Sequence, residues 1–131
     1  MDLCNINEIK ALLARHGFHF SKAKGQNFLT QNWVPREIVA RAGIDETCAA
    51  LEVGPGIGPL TQELCRSAKK VIAIEVDRSL KPVLAETMAG NENLEIIFGD
   101  VLKTDIRALV AEEFAGLRPV ACANLPYYIT T

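Results

Sequence analysis

A chain of 131 residues is about one domain long, and with 49% apolar and 23% charged residues it reads as an ordinary soluble globular protein rather than a disordered one. No run approaches the roughly 20 apolar residues that a membrane-spanning helix needs. Met1–Asn7 carries Asp2 and no basic cluster ahead of an apolar stretch, so no secretory signal is expected. The net charge of −2 argues weakly against a nucleic-acid partner, but the charge is unevenly spread. Lys10, Arg15, Lys22, Lys24 and Arg36 follow one another with no acid between them, leaving nine basic against sixteen acidic residues in the rest of the chain. A basic arm on an acidic body can bind a phosphate backbone that the average charge does not predict; the same arm can also be merely solvated.

In chain order, Ile6, Ile9, Leu13 and His16 share a helical face, and Gly17 stops that helix. Phe18–Thr30 is aromatic and basic without periodicity and is expected to be a loop. A second helix is expected to start near Pro35, a residue suited to a first turn, and to end at Gly43. The pattern then changes. Ala49–Val53 is a short apolar strand, followed by Gly54-Pro-Gly56-Ile-Gly58 and a helix to about Ala68. Val71–Val76 is a β-branched strand, Ser79–Met88 a helix stopped by Gly90, and Leu94–Phe98 a third strand closed by Gly99-Asp100. A helix over Thr104–Ala115 leads to a fourth strand, Pro119–Ala123, which runs into Asn124-Leu-Pro-Tyr127. Short, nearly all-apolar strands alternating with helices predict a parallel α/β sheet covered on both faces.

Ligands of such sheets sit outside the carboxyl ends of the strands, and each of the four predicted ends here carries glycine or a polar residue. Glycines in Glu52-Val-Gly54-Pro-Gly56-Ile-Gly58 let the backbone turn sharply and approach a ligand, although a glycine turn alone serves packing equally well. The spacing is GxGxG rather than GxGxxG, which disfavours a nicotinamide cofactor. Glu75, 21 residues after Gly54, is placed to accept both ribose hydroxyls of an adenosine, while Asp77 is better placed as a helix cap. Asp100 can accept a hydrogen bond from an adenine amine, or act only as a turn or cap residue. Asn124-Leu-Pro-Tyr127 discriminates best. An exocyclic adenine amine is a poor nucleophile because its lone pair is delocalised. The Asn124 amide oxygen and the Pro126 carbonyl could each accept one of its N–H bonds and aim the lone pair at a methyl sulfonium. Tyr127 would stack on the extruded base. Transfer then rests mainly on positioning, with no dedicated base or metal.

Together these residues resemble the ribosomal RNA adenine dimethyltransferase family, over roughly Phe20 to Thr131. Gly25-Gln-Asn-Phe-Leu29 looks like its amino-terminal cofactor motif, and the glycine loop, Glu75, Gly99-Asp100 and Asn124-Leu-Pro-Tyr127 follow in the family's order. The resemblance implies a Rossmann-like class I S-adenosylmethionine-dependent methyltransferase fold, truncated after the fourth strand. An amino-terminal helical and basic segment (1–45) carrying the cofactor motif would precede a partial methyltransferase domain (46–131). It implies S-adenosylmethionine as cofactor, held by Gln26, Asn27, Leu29, Gly54, Gly56, Glu75, Asp100 and Asn124. It implies catalysis through Asn124, Pro126 and Tyr127, and RNA contacts from Lys22 and Lys24. Leu125 and Gly25 place the chain nearer the small-subunit branch than the resistance branch acting on large-subunit RNA. Small-subunit ribosomal RNA, or the immature small subunit, is thus the expected partner, in the cytoplasm. The family has seven strands and a further helical domain, so this chain is expected to be a fragment of impaired activity. Its fourth strand would be an exposed edge open to self-association.

The remaining features are expected to be structural. Cys4, Cys48, Cys65 and Cys122 form no CxxC pair, which favours packed thiols in a reducing compartment over zinc or disulfides. His16 and His19 have no partner acid near them in sequence and read as surface or packing histidines. Trp33 is expected to pack its helix, and Phe18, Phe20 and Phe28 to anchor the loop rather than stack on bases. Rival functions are an adenine methyltransferase acting on large-subunit RNA or on DNA, a non-catalytic RNA-binding or transcription factor of the same fold, and, least favoured, a dehydrogenase.

Overall fold

In the computed structural model, which describes residues 2–18 and 33–123, helix α1 (Ile6–Arg15) starts at Asn5. The Asn5 side chain accepts the backbone N–H groups of Asn7 and Glu8, and Gly17, at φ 77°, closes the other end. Its buried face is Ile9, Leu12 and Leu13. Ile6 and His16 lie at the margin, so the apolar face is turned slightly from the expected one. Helix α2 (Trp33–Arg41) takes Pro35 in its first turn, and Gly43 follows it at φ 66°.

The strands are β1 (Cys48–Val53), β2 (Lys70–Glu75), β3 (Leu94–Phe98) and β4 (Arg118–Ala123). Between them come α3 (Pro59–Ser67), α4 (Lys81–Thr87) and α5 (Ile106–Glu113). The two later helices are shorter than expected. A single 3-10 turn, Arg78–Leu80, occupies the start of the first predicted span, and another, Val101–Lys103, precedes the second. Asp77, Asp100 and Asp105 each accept a backbone N–H two or three residues ahead and so fix where each turn or helix begins. Strand β2 ends at Glu75, one residue early, and leaves Val76 outside it and exposed.

All pairings are parallel, in the order β3-β2-β1-β4. Alternate residues face opposite sides. Cys48, Ala50, Val71, Val120 and Cys122 pack with α2 and α3, and Leu94, Ile96 and Phe98 belong with α1 and α4. On the other side Ala49, Leu51, Ile72, Ile74 and Ile97 pack under α5 and Phe114. The expectation of a sheet covered on both faces holds for β1 and β2 and fails for β4. The α5-side cluster takes its strand residues from the other three strands, and Pro119, Ala121 and Ala123 of β4 are exposed. Strand β4 is thus an edge of the four described strands, as expected from the resemblance.

Candidate active site

Three of the predicted strand tips meet at one carboxylate. Glu75 closes β2 with 5% of its surface exposed. Its Oε1 accepts the Gly56 N–H from the loop after β1 (3.0 Å), and its Oε2 accepts the Asp77 N–H (2.9 Å). The backbone adds two ties: Gly54 N–H donates to Ile74 O, and Gly99 N–H donates to Glu75 O, both at 2.9 Å. The Arg78 guanidinium reaches the Phe98 carbonyl at 3.3 Å. The loops after β1, β2 and β3 are therefore joined side by side, as parallel pairing of Val53 with Ile74 and of Glu75 with Phe98 requires. Within the chain the Glu75 carboxylate is already engaged. Each of its oxygens already takes one N–H bond, and a second lone pair on each remains for a ligand hydroxyl.

The loop glycines differ in purpose. Gly56 sits at φ 62° with nothing within 4 Å of where a Cβ would stand, so its backbone faces open space. Gly58, at φ 103°, precedes α3, and a Cβ there would come within 2.7 Å of Cε of Met88, the residue that closes α4. One glycine leaves room above the loop and the other lets α4 close beneath it.

Glu52 was quoted in the sequence motif but given no role. It is fully buried on β1, on the side facing α3, where Thr61 donates its hydroxyl to Oε1. Oε2 is also buried and has no hydrogen-bond partner among the described residues. Loss of solvent pushes the carboxyl up to about 7; the Thr61 bond opposes this and the Glu75 charge adds to it. The signal was present in sequence: an acid sharing the parity of Cys48 and Ala50 in an otherwise apolar strand. Val76 and Leu102, 70% and 90% exposed, were also missed. They follow the ends of neighbouring strands in the chain, close in sequence to Glu75 and Asp100, and only the structure reveals them as uncovered.

Asp100 is half-buried and caps the turn at Val101–Lys103 through the Leu102 N–H at 2.9 Å. The alternative weighed for it, a cap residue, is therefore realised, and it still lies on the same rim as Glu75. Asp77 caps the next turn as expected, accepting from Ser79. A cavity of about 280 Å³ lies to one side, between α4 and β3, lined by Leu84, Met88, Ile96 and Phe98 and by none of the three tip residues. Lys22, Lys24, Gln26, Asn27, Leu29, Asn124, Pro126 and Tyr127 lie outside the described residues, as do His19, Phe20, Phe28 and the side chain of Trp33.

The structure gives His16 a partner that its sequence neighbourhood lacks. Its Nε2 lies 2.9 Å from Glu86 Oε1, a partner acid 70 positions away, and Arg15 pairs with the same carboxylate. Arg15 first and His16 second hold Glu86 below the usual carboxylate range. Phe18 packs against the α1–α4 cluster, consistent with an anchoring role. The four cysteines are free; burial, with a lesser push from Glu52, raises Cys65 to about 12. Among the described residues no group of three or more His, Cys, Asp or Glu could hold a metal, and no helix is long and apolar enough to cross a membrane.

Comparison with known proteins gives the family. The family model described as ribosomal RNA adenine dimethylase matches residues 17–131. A protein named ribosomal RNA small subunit methyltransferase A, from Geobacillus thermodenitrificans, is 50% identical over 131 residues. That match covers 99% of this chain and 45% of the relative, so the chain spans less than half the length of the curated relatives it matches. Among solved structures, the 23S rRNA methyltransferase ErmE is 35% identical (TM-score 0.56; 60% of this chain, 32% of the other). A dimethyladenosine transferase from Plasmodium falciparum is 30% identical (TM-score 0.56; 76% and 34%).

Proposed function

The chain belongs to the ribosomal RNA adenine dimethylase family, with the fold of class I S-adenosylmethionine-dependent methyltransferases, and on that premise we propose that it is part of an enzyme that dimethylates the N6 amines of adjacent adenines in small-subunit ribosomal RNA. The observation that carries this reading is the junction of three strand tips at the Glu75 carboxylate. The residues present fit a nucleoside-containing cation. Gly56 leaves open space above its loop, Glu75 keeps lone pairs for ribose hydroxyls, and the buried Glu52 oxygen has no partner. Val76 and Leu102 offer exposed apolar surface beside an adenine.

In this reading Gly54 and Gly56 border the methionine portion of S-adenosylmethionine, Glu75 holds the ribose and Asp100 the adenine. Gln26, Asn27 and Leu29 add contacts from the amino-terminal side. When bound, the cofactor supplies an electrophilic methyl group and its leaving group together. The chain's own part is positioning. The Asn124 amide oxygen and the Pro126 carbonyl accept the two N–H bonds of the target amine, and Tyr127 stacks on the base once it has left its helix. Lys22 and Lys24 meet the RNA backbone. The enzyme acts on the immature small subunit in the cytoplasm. Strand β4, as an edge, offers a second copy a place to pair; a mass that rises with concentration in light scattering supports that pairing and a constant monomer mass overturns it.

Two measurements test the proposal. Calorimetric titration of this chain with S-adenosylmethionine should show binding. Deleting the encoding gene in its host should leave a pair of small-subunit adenines unmethylated, read by mass spectrometry of the RNA. Dimethylation that instead disappears from large-subunit RNA, with the small subunit unchanged, sinks the small-subunit assignment.

A further inference from the structure

Glu52 is a carboxyl group enclosed in protein with one oxygen bonded to Thr61 and the other bonded to nothing among the described residues. It stands two residues before Gly54, where β1 passes into the loop. The titratable and polar groups that act on it or feel its charge come from each neighbouring element: Thr61 and Cys65 on α3, Glu75 on β2 and Cys122 on β4. None of these is a cation, and the one charge among them, Glu75, repels an anion at Glu52. Among the described residues, this enclosed acid has no cation beside it to stabilise its ionised form.

We propose that Glu52 is the residue by which this site tells a sulfonium methyl donor from its thioether product. The inference rests on the reading of the loop as an S-adenosylmethionine site. Donor and product share adenosine and amino-acid portions and differ by one methyl group and one positive charge at sulfur. Contacts to ribose and adenine through Glu75 and Asp100 are common to both and cannot separate them. A buried acid at the loop can, because a charge brought near it in a poorly solvated setting shifts its ionisation over several ångströms. Its carboxyl titrates at about 7, so near neutrality it is part protonated, and a cation favours loss of that proton while a neutral sulfur does not. The neighbouring thiols do not compete, since burial raises both Cys65 and Cys122. Discrimination of this kind limits product inhibition without any contact unique to the donor.

The test is calorimetry of this 131-residue chain with S-adenosylmethionine and with S-adenosylhomocysteine between about pH 5.5 and 8.5, for the unsubstituted chain and for Glu52→Gln. The ratio of donor to product affinity is expected to rise roughly five- to tenfold across the range, centred near 7, and to stay flat in Glu52→Gln. Titration of the ligands' own amino group, near 8, is common to both and largely cancels in the ratio. Donor binding at about pH 6.5 should also release more protons than product binding, seen as a larger dependence of enthalpy on buffer. That second measurement needs no substitution and decides the matter if Glu52→Gln fails to fold by circular dichroism. Parallel pH profiles with equal proton release, or a pH-dependent ratio that survives in Glu52→Gln, overturn the inference and leave the cofactor reading standing. Binding of neither ligand overturns both.

Discussion

The two inner strands and β3 each carry an acid at or within two residues of the strand end, but they hold it in different ways. Glu52 and Glu75, on β1 and β2, are 0% and 5% exposed, and Glu75 is fixed by N–H groups from two separate loops. Asp100, after β3, is half-buried, and its recorded side-chain bond is to its own turn. Central position in the sheet accounts for this. A strand with neighbours on both sides lies under helices from both faces, so its terminal side chain is enclosed and must find partners from elements distant in sequence. An edge strand leaves its terminal residue to cap locally. The inner acids are thus preorganised parts of the scaffold, and the outer one is adjustable at little cost to the fold.

Glu75→Ala attacks this contrast most strongly. It strips two N–H groups, only partly shielded from water, of a buried charged acceptor and should destabilise the chain by roughly 2–3 kcal/mol. Affinity for S-adenosylmethionine should fall by more than about 100-fold, measured by urea unfolding and calorimetry respectively. Unchanged stability would show that the three-loop junction is not structural. Glu52 gives the next largest effect, and its sign is unusual for an acid. Its folded-state pKa is raised from 4.5 to about 7, so the folded chain holds the proton more tightly than the unfolded one. That stability is complete below pH 4.5 and is lost as pH rises through 7, by about 3 kcal/mol in all. Denaturant unfolding across that window should show the decline, and Glu52→Gln should remove it.

At the outer tip, Asp100→Ala should cost about 1 kcal/mol, the worth of a lost cap. Cofactor affinity should fall about tenfold, so binding suffers far more than folding. A loss of stability equal to that of Glu75→Ala would erase the distinction between inner and outer acids. The smallest effect belongs to the exposed tie between α1 and α4. Glu86 has a lowered pKa, so its contribution is present above its ordinary value of 4.5 and is lost as pH falls through the lowered one. Glu86→Gln should lower the melting temperature slightly at neutral pH and leave it unchanged in acid. A difference that persists in acid would show that the pairing with Arg15 and His16 is not its source.

By itself the sequence determined the alternation of strands and helices, the positions of the turn-forming glycines and capping aspartates, and the occurrence of glycine or a polar residue after each strand. All of these follow from local physics: side-chain periodicity, backbone freedom at glycine and short hydrogen bonds between a side chain and the chain just ahead of it. Leu94–Phe98 matches its expected bounds for that reason, and Asp77 caps where it was expected to. Only the tertiary structure decided that β1 lies between β2 and β4, that Glu75 receives Gly56, that Glu52 is shut in with one oxygen unbonded, and that His16 finds Glu86. Each of these depends on which distant segments pair, and a partner 19 or 70 residues away leaves no periodic trace in the chain.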